Sequence, residues 1–228
     1  MIVNKKEFTG GFVLLALFFI VLTVMFQPIF DGKNAMAYLD AMYNSISKGS
    51  VNYFPSLREN VKSLGDKEVD IKLSYTTAVQ AEQSEKLFST AGAQVALNGK
   101  ELSVQGRISS ILDSCLDDSD LMYHNKGGEV AAKYGIDPRR TTFNWWTSLG
   151  LMEKSLNGQS EFKVAKVAST VMKKGVETSY NYYEIEPLDI MDELWLVIFS
   201  LVFYVVYTLW YGFAILFVFE GWGLNLGH

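Results

Sequence analysis

From Leu194 to Phe219 the chain runs for 26 residues without a charged side chain (LWLVIFSLVFYVVYTLWYGFAILFVF). At about 1.5 Å of helical rise per residue, this stretch exceeds the roughly 30 Å hydrocarbon thickness of a bilayer. It is too long and too apolar for the buried helix of a small soluble domain. A second uncharged stretch, Gly10 to Phe30, is long enough to cross on the same arithmetic. Lys5 and Lys6 precede it and Ala35-Met36-Ala37 resembles a leader-cleavage site, but the apolar run is longer than a usual signal core and Asp31 and Lys33 intervene. The expectation is therefore an anchor at each end.

Orientation follows from the flanking charges. Lys5 and Lys6 outweigh Glu7 on the N-terminal side, whereas Asp189, Asp192 and Glu193 precede the second stretch, so both termini are expected in the cytoplasm. The predicted division is a tail over 1–9, a span over 10–30, an extracytoplasmic domain over 31–193, a span over 194–219 and a tail over 220–228. The formal net charge of −5 lies in the middle section, since Glu220 cancels the N-terminal surplus. An acidic domain argues against a nucleic-acid partner, which calls for a basic face. Cys115 stands alone, which excludes an intrachain disulfide or a thiolate-held iron–sulfur cluster. The lack of N-x-[ST] sequons points toward a bacterial periplasm.

Within the middle section, Ala35, Tyr38, Leu39, Met42 and Ile46 recur at helical spacing, with Gly49 as the expected stop. A short helix is predicted over 56–64, closed by Gly65. Val69, Ile71, Leu73 and Tyr75 alternate as in a strand, and the period then becomes helical, with Thr77 and Gln80 placed as a capping box and Gly92 as the stop. Asn98-Gly99 between two alternating runs predicts a hairpin that pairs Val95 with Leu102 and puts both on one face with Leu97 and Val104. A helix over 108–123 follows, presenting Ile108, Ile111, Leu112, Cys115, Leu116 and Met122. The fold class expected is membrane α+β: two transmembrane helices flanking a domain with a three-stranded β-α-β-β-α unit over 68–123, arranged like half of a ferredoxin-like fold, and further helices over 137–186. Two helices, 139–156 and 160–183, are predicted there, with Asp137-Pro138 as the start and Asn157-Gly158 as the break.

Residues of chemically capable types point away from catalysis. Asp113, Asp117, Asp118 and Asp120 read as the solvated face of their helix rather than a cation site. His124 and His228 lie on opposite sides of a span and cannot ligate one group together, and His124 reads as a surface residue. Cys115 falls in the apolar stripe as an inert thiol. Asn125-Lys126-Gly127-Gly128 reads as a turn, since it lacks the spacing of a phosphate loop. No catalytic, metal or cofactor residue is expected, and no nucleophile, base and stabiliser assemble into a tethered enzyme.

The features that suggest contact are of another kind. Ser200, Tyr204, Thr208 and Gly212 follow at four-residue steps, with Tyr207 and Tyr211 adjacent, so hydroxyls and a glycine gather on one face of the second span. That face either packs on the first span, at Ala16 and Thr23, or meets other subunits, and its width favours the second. Trp145 and Trp146 read as core before docking patch. Tyr180, Tyr182, Tyr183 and Trp195 read as an interfacial belt ahead of the membrane entry. The function expected is a non-catalytic accessory subunit of a larger bacterial inner-membrane complex, an energy-converting or respiratory one first, with other integral membrane subunits as partners. The alternative is a homo-oligomeric channel or transducer with the second span lining a pore, though no charged ring selects ions there.

Overall fold

The computed structural model describes residues 2–50 and 52–224. The chain is mostly helical, with one small antiparallel sheet, and divides into two compact units: residues 1–50 with 186–228, and residues 51–185. His228 and the end of the C-terminal tail lie outside the described residues.

The first unit is built on two helices, α1 (Lys5–Met25) and the last helix of the chain (Leu194–Gly221), both long and apolar enough to cross a membrane by length and composition. The first starts earlier than the uncharged stretch. Asn4 caps it, its side chain accepting from the amides of Lys6 and Glu7, so the two lysines sit in the first turn and the helix is complete by Met25. Helix α2 (Ala35–Ser50) buries Ala35, Met42 and Ile46 along the anticipated stripe. Gly49 does not stop it. The glycine lies inside the last turn because the backbone of Leu188 passes directly over it, leaving no room for a Cβ. The Leu188 amide donates to the Ser45 carbonyl in the same place.

In the second unit, α3 (Phe54–Lys62) leads to β1 (Glu68–Ser74), α4 (Ala78–Thr90), β2 (Gln94–Asn98), β3 (Glu101–Arg107) and α5 (Ile108–Tyr123). The strand order is β1-β3-β2, both pairings antiparallel, so β3 of the hairpin inserts between the two strands that flank α4. This split βαβ arrangement is that of half a ferredoxin-like sheet. Alternation along β1 puts Val69, Ile71 and Leu73 inside and leaves Glu68, Asp70, Lys72 and Ser74 in solvent.

The hairpin register differs by one residue at the turn. Leu97 faces Leu102 and Val95 faces Val104, because the two-residue loop is Gly99-Lys100 rather than Asn98-Gly99. Gly99 has φ +60° while Asn98 and Lys100 do not have positive φ, which suits glycine at the first position of a type II′ turn. Moving the turn by one position changes both strands together, so every side chain keeps its expected face. The capping box at α4 is half made: Thr77 accepts from the Gln80 amide, but the Gln80 side chain donates to Thr147 instead of returning to the cap.

The remaining helices are α6 (Gly127–Tyr134), α7 (Pro138–Gly158), α8 (Phe162–Val171), a π-helical turn (Met172–Val176), α9 (Glu177–Tyr182) and, in the first unit, α10 (Leu194–Gly221). Helix α6 takes over the second half of the expected Asn125–Gly128 turn: Asn125 stands in a turn at φ +60°, and the helix begins at Gly127. Its first residue, Gly127, lies under the Tyr183 ring, and it ends on Gly135 at φ +67°. The π turn interrupts the single helix anticipated over 160–183. Gly175 sits within it where a Cβ would meet Leu116 Cδ2 at 3.1 Å and Leu57 Cδ1 at 3.3 Å, and Ser179 Oγ donates to its carbonyl at 2.8 Å. The wide turn lets the backbone come close to α5 and α3. The core of the unit runs from the inner sheet face through α5 to α7 and α8, and includes Phe88, Leu112, Leu116, Trp145, Leu149 and Val164.

Candidate functional site

In the first unit, α1 and α10 run antiparallel and meet along glycine and alanine and along Tyr207 and Tyr211, while Tyr204 and Thr208 stay outside the contact. A Cβ on Gly11 would lie 2.6 Å from the Val218 nitrogen and 2.9 Å from the Ala214 oxygen, and Gly221 is pressed as closely on the backbone of Phe8. Ala214, Gly11 and Gly221 are buried. Further along, Phe18 stacks on Tyr207 (4.3 Å between centroids), with Tyr211 at 5.0 Å and the Trp210 edge at 6.5 Å. The Tyr207 hydroxyl donates to the Phe18 carbonyl and Trp210 Nε1 to the Leu14 carbonyl, each at 3.1 Å. At the open end, the amides of Val3 and Asn4 both donate to the Gly221 carbonyl. Ala16 and Thr23, the small positions expected on α1, face outward instead.

This packing divides the predicted contact set. Tyr207 is taken by α1, and Tyr211 leans on Phe18 while remaining 43% exposed. Ser200 is taken by α2, where its Oγ and the Tyr43 hydroxyl share a 2.7 Å hydrogen bond. Among the described residues, Tyr204, Thr208 and Gly212 are left without a neighbouring helix. Tyr204 is 69% exposed, and a Cβ on Gly212 would meet nothing within 4 Å. Thr208 satisfies its hydroxyl by donating to the Tyr204 carbonyl at 2.7 Å, so it needs no partner to be tolerated in an apolar medium. The result is a shallow, self-satisfied surface flanked by tyrosine. Gly11, Ala214 and Gly221 are the residues that sequence reasoning missed. Their signal was present, since Ala214 and Gly221 are seven apart and fall on one face.

In the second unit the two tryptophans point opposite ways. Trp145 is buried, and its Nε1 donates to Asp118 Oδ2 at 2.8 Å; Trp146 is exposed and stacks on Phe143 at 6.0 Å. Asp118 is not on a solvated face. Its carboxylate is almost fully enclosed and takes the Tyr134 hydroxyl (2.6 Å), the Trp145 indole and the Lys133 ammonium (2.8 Å), tying α5 to α6 and α7. Burial, reinforced by the Asp118 charge, pushes the Tyr134 phenol far above its ordinary range. The other aspartates fit the solvated reading: Asp117 and Asp120 pair with Arg58, and Asp120 also with His124. Cys115 is fully buried, and desolvation holds its thiol well above the usual range. Among the described residues no three His, Cys, Asp or Glu side chains converge as a metal site.

Trp146, Phe143 and Tyr180, with Thr142, Val176 and Glu177, line a cleft of about 220 Å³ between α7 and the π turn with α9. Arg140 lies over the Phe143 ring and Arg139 over Tyr180 and Tyr183. The tyrosine cluster is therefore not a simple belt. Tyr182 meets Tyr123 edge-on and packs on the core, Tyr183 holds Arg139, and only Tyr180 opens onto the cleft. Trp195, in the first unit, is 68% exposed and leans on Phe199.

Compared with known protein families, with curated proteins and with solved structures, the chain matches none of them. The residues themselves carry the functional argument.

Proposed function

We propose that the chain is a non-catalytic, two-span subunit of a larger bacterial inner-membrane assembly, holding its middle section in the periplasm and meeting a partner helix on the outer face of α10. The observation that carries this reading is the division of α10: one face is consumed by Gly11 and Phe18, while Tyr204, Thr208 and Gly212 form a second, polar-edged face that α1 leaves open. Small and hydroxyl-bearing residues are what helix–helix contacts in a bilayer select, because they admit close backbone approach and offer hydrogen bonds. The remaining sides of α1 and α10 expose Phe12, Leu17, Ile20, Leu201, Val205 and Leu209, the chemistry of lipid contact.

Orientation rests on Lys5 and Lys6 in the first turn of α1 and on Asp189, Asp192 and Glu193 before α10. The antiparallel pairing brings the start of α1 and the end of α10 together, which agrees with both termini on one side of the membrane. The exposed Trp146–Phe143 pair is the companion docking feature in the middle section.

Site-specific photocrosslinking in native membranes tests the reading. A photoreactive side chain at Tyr204 or Thr208 is expected to capture heterologous polypeptides, while one at Leu209, on the lipid-facing side, captures lipid. Capture of lipid alone from all three positions contradicts a partner on this face. Capture of a second copy of the chain favours the homo-oligomeric alternative.

A further inference from the structure

The second unit carries a second cleft whose chemistry is unlike the aromatic one. It has a volume of about 350 Å³ and lies between α7 and the run from α8 into the π turn, lined by Glu153, Asn157, Phe162, Lys166, Ser169, Thr170, Lys173 and Lys174. Lys166, Thr170 and Lys173 follow at four and three residues. Lys174 follows in the π turn and lines the cleft with Lys173. Three lysines therefore line one space in a chain whose net charge is negative.

Among the described residues, these lysines are free of internal ion pairs. None of Lys166, Lys173 and Lys174 forms an ion pair among the described residues, although Lys174 also lies over the Tyr53 ring at 5.2 Å. Ser169 is 8% exposed, lines the cleft and makes no side-chain hydrogen bond among the described residues, unlike Thr170, which donates to the Lys166 carbonyl. A hydroxyl with no internal partner beside a cationic space is available to donate to an incoming oxygen. The Asn157 amide adds a further donor, and Glu153 is the single carboxylate in the lining, so two positive charges remain to be matched.

We infer that this cleft binds a phosphate-bearing anion. A dianionic phosphate or diphosphate group balances the residual charge and accepts from several ammonium groups and the Ser169 hydroxyl at once. Lysines suit phosphate as point charges. Phe162, at 64% the most exposed aromatic ring of the second unit, stands on the rim and gives the organic part of a phosphate ester an apolar surface. A phospholipid headgroup and a soluble phosphate ester share this chemistry.

Lysine acylation of the full chain, read by mass spectrometry, tests the inference and separates the two sources. The chain is placed in nanodiscs of neutral phosphatidylcholine, in the same discs with inorganic pyrophosphate, and in discs containing phosphatidylglycerol. Labelling of Lys166, Lys173 and Lys174 is expected to slow about tenfold in one of the last two conditions, and Lys72 on the open sheet face to be unaffected. Slowing by pyrophosphate assigns a soluble ester, and slowing by phosphatidylglycerol alone assigns a headgroup. In the exposed double variant Lys173→Gln/Lys174→Gln the protection of Lys166 is expected to disappear, and in the native chain protection is expected to fade as salt is raised. Unchanged labelling in both conditions, equal slowing at Lys72, or protection of Lys166 that survives the double variant would overturn it.

Discussion

The two units solve opposite packing problems with the same alphabet. In residues 51–185 the apolar side chains are inside: Leu73, Leu87, Phe88, Leu102, Leu112 and Leu149 are wholly buried, and the outer face of β1 is charged or polar. In the α1–α10 pair the pattern is inverted, with Phe, Leu, Ile and Val outward and a seam made of Gly11, Phe18, Ala214 and Gly221. The first arrangement is stabilised by removing apolar area from water. The second gains nothing that way from its exposed faces and depends instead on close backbone approach, stacking and a few hydrogen bonds, as helices surrounded by hydrocarbon do. A buried carboxylate such as Asp118 is tolerated in the first unit because three donors meet it, whereas no charged side chain occurs between Leu194 and Phe219.

The contrast predicts that damage to one unit leaves the other standing. The largest expected effect is at Asp118. Asp118→Ala strands the Tyr134 hydroxyl and the Trp145 indole and removes the partner of Lys133, and it should destabilise the second unit by about 3–5 kcal/mol. Chemical denaturation of the full chain in detergent, followed by tryptophan fluorescence, measures this, while the α1–α10 pairing should be unaltered. Next comes Gly11→Leu, which drives a side chain into the backbone at Ala214 and Val218. It should weaken the helix pair by about 1–3 kcal/mol. A distance label on each helix should report separation with no change in the denaturation of the second unit, and equal destabilisation of both would break the comparison.

Alkaline pH should act on the second unit with a similar or smaller effect. Burial raises the phenols of Tyr75 and Tyr134 in the folded state, so folding favours their protonated forms. The associated stability is intact below the unfolded tyrosine pKa of about 10 and is lost as pH rises above it, by about 1 kcal/mol at pH 11 for Tyr134. Melting at pH 8 and pH 11 checks the sign, and a higher melting temperature at pH 11 would contradict it. The smallest effect on stability belongs to Thr208→Leu, which faces neither α1 nor α2. It should change pairing by less than about 0.5 kcal/mol and yet reduce recovery of co-purifying partners.

Much of the second unit was legible because periodicity of two and of 3.6 reports burial directly: β1, the hairpin faces and the stripe of α5 follow from it. Asp118 was misread although it stands three residues after Cys115 and four before Met122, inside that stripe; its company in an acidic run disguised it. Helix α6 was hidden by two glycines at its start, where intrinsic propensity is poor and tertiary contact with Tyr183 decides. The π turn leaves no periodic trace shorter than the helix it interrupts. In the first unit the apolar lengths were plain, but the seam was not. Hydroxyls draw attention on an apolar helix, and the contact is shared between the expected Tyr207 and Tyr211 and the small residues Gly11, Ala214 and Gly221.

In the proposed reading the open face of α10 meets a different polypeptide. Native mass spectrometry of the chain extracted gently from its own membranes tests it most directly. The account predicts a complex of heterologous subunits that disperses when Tyr204, Thr208 and Gly212 are replaced together by leucine. A chain that flies alone, or as a ring of identical copies, would contradict it.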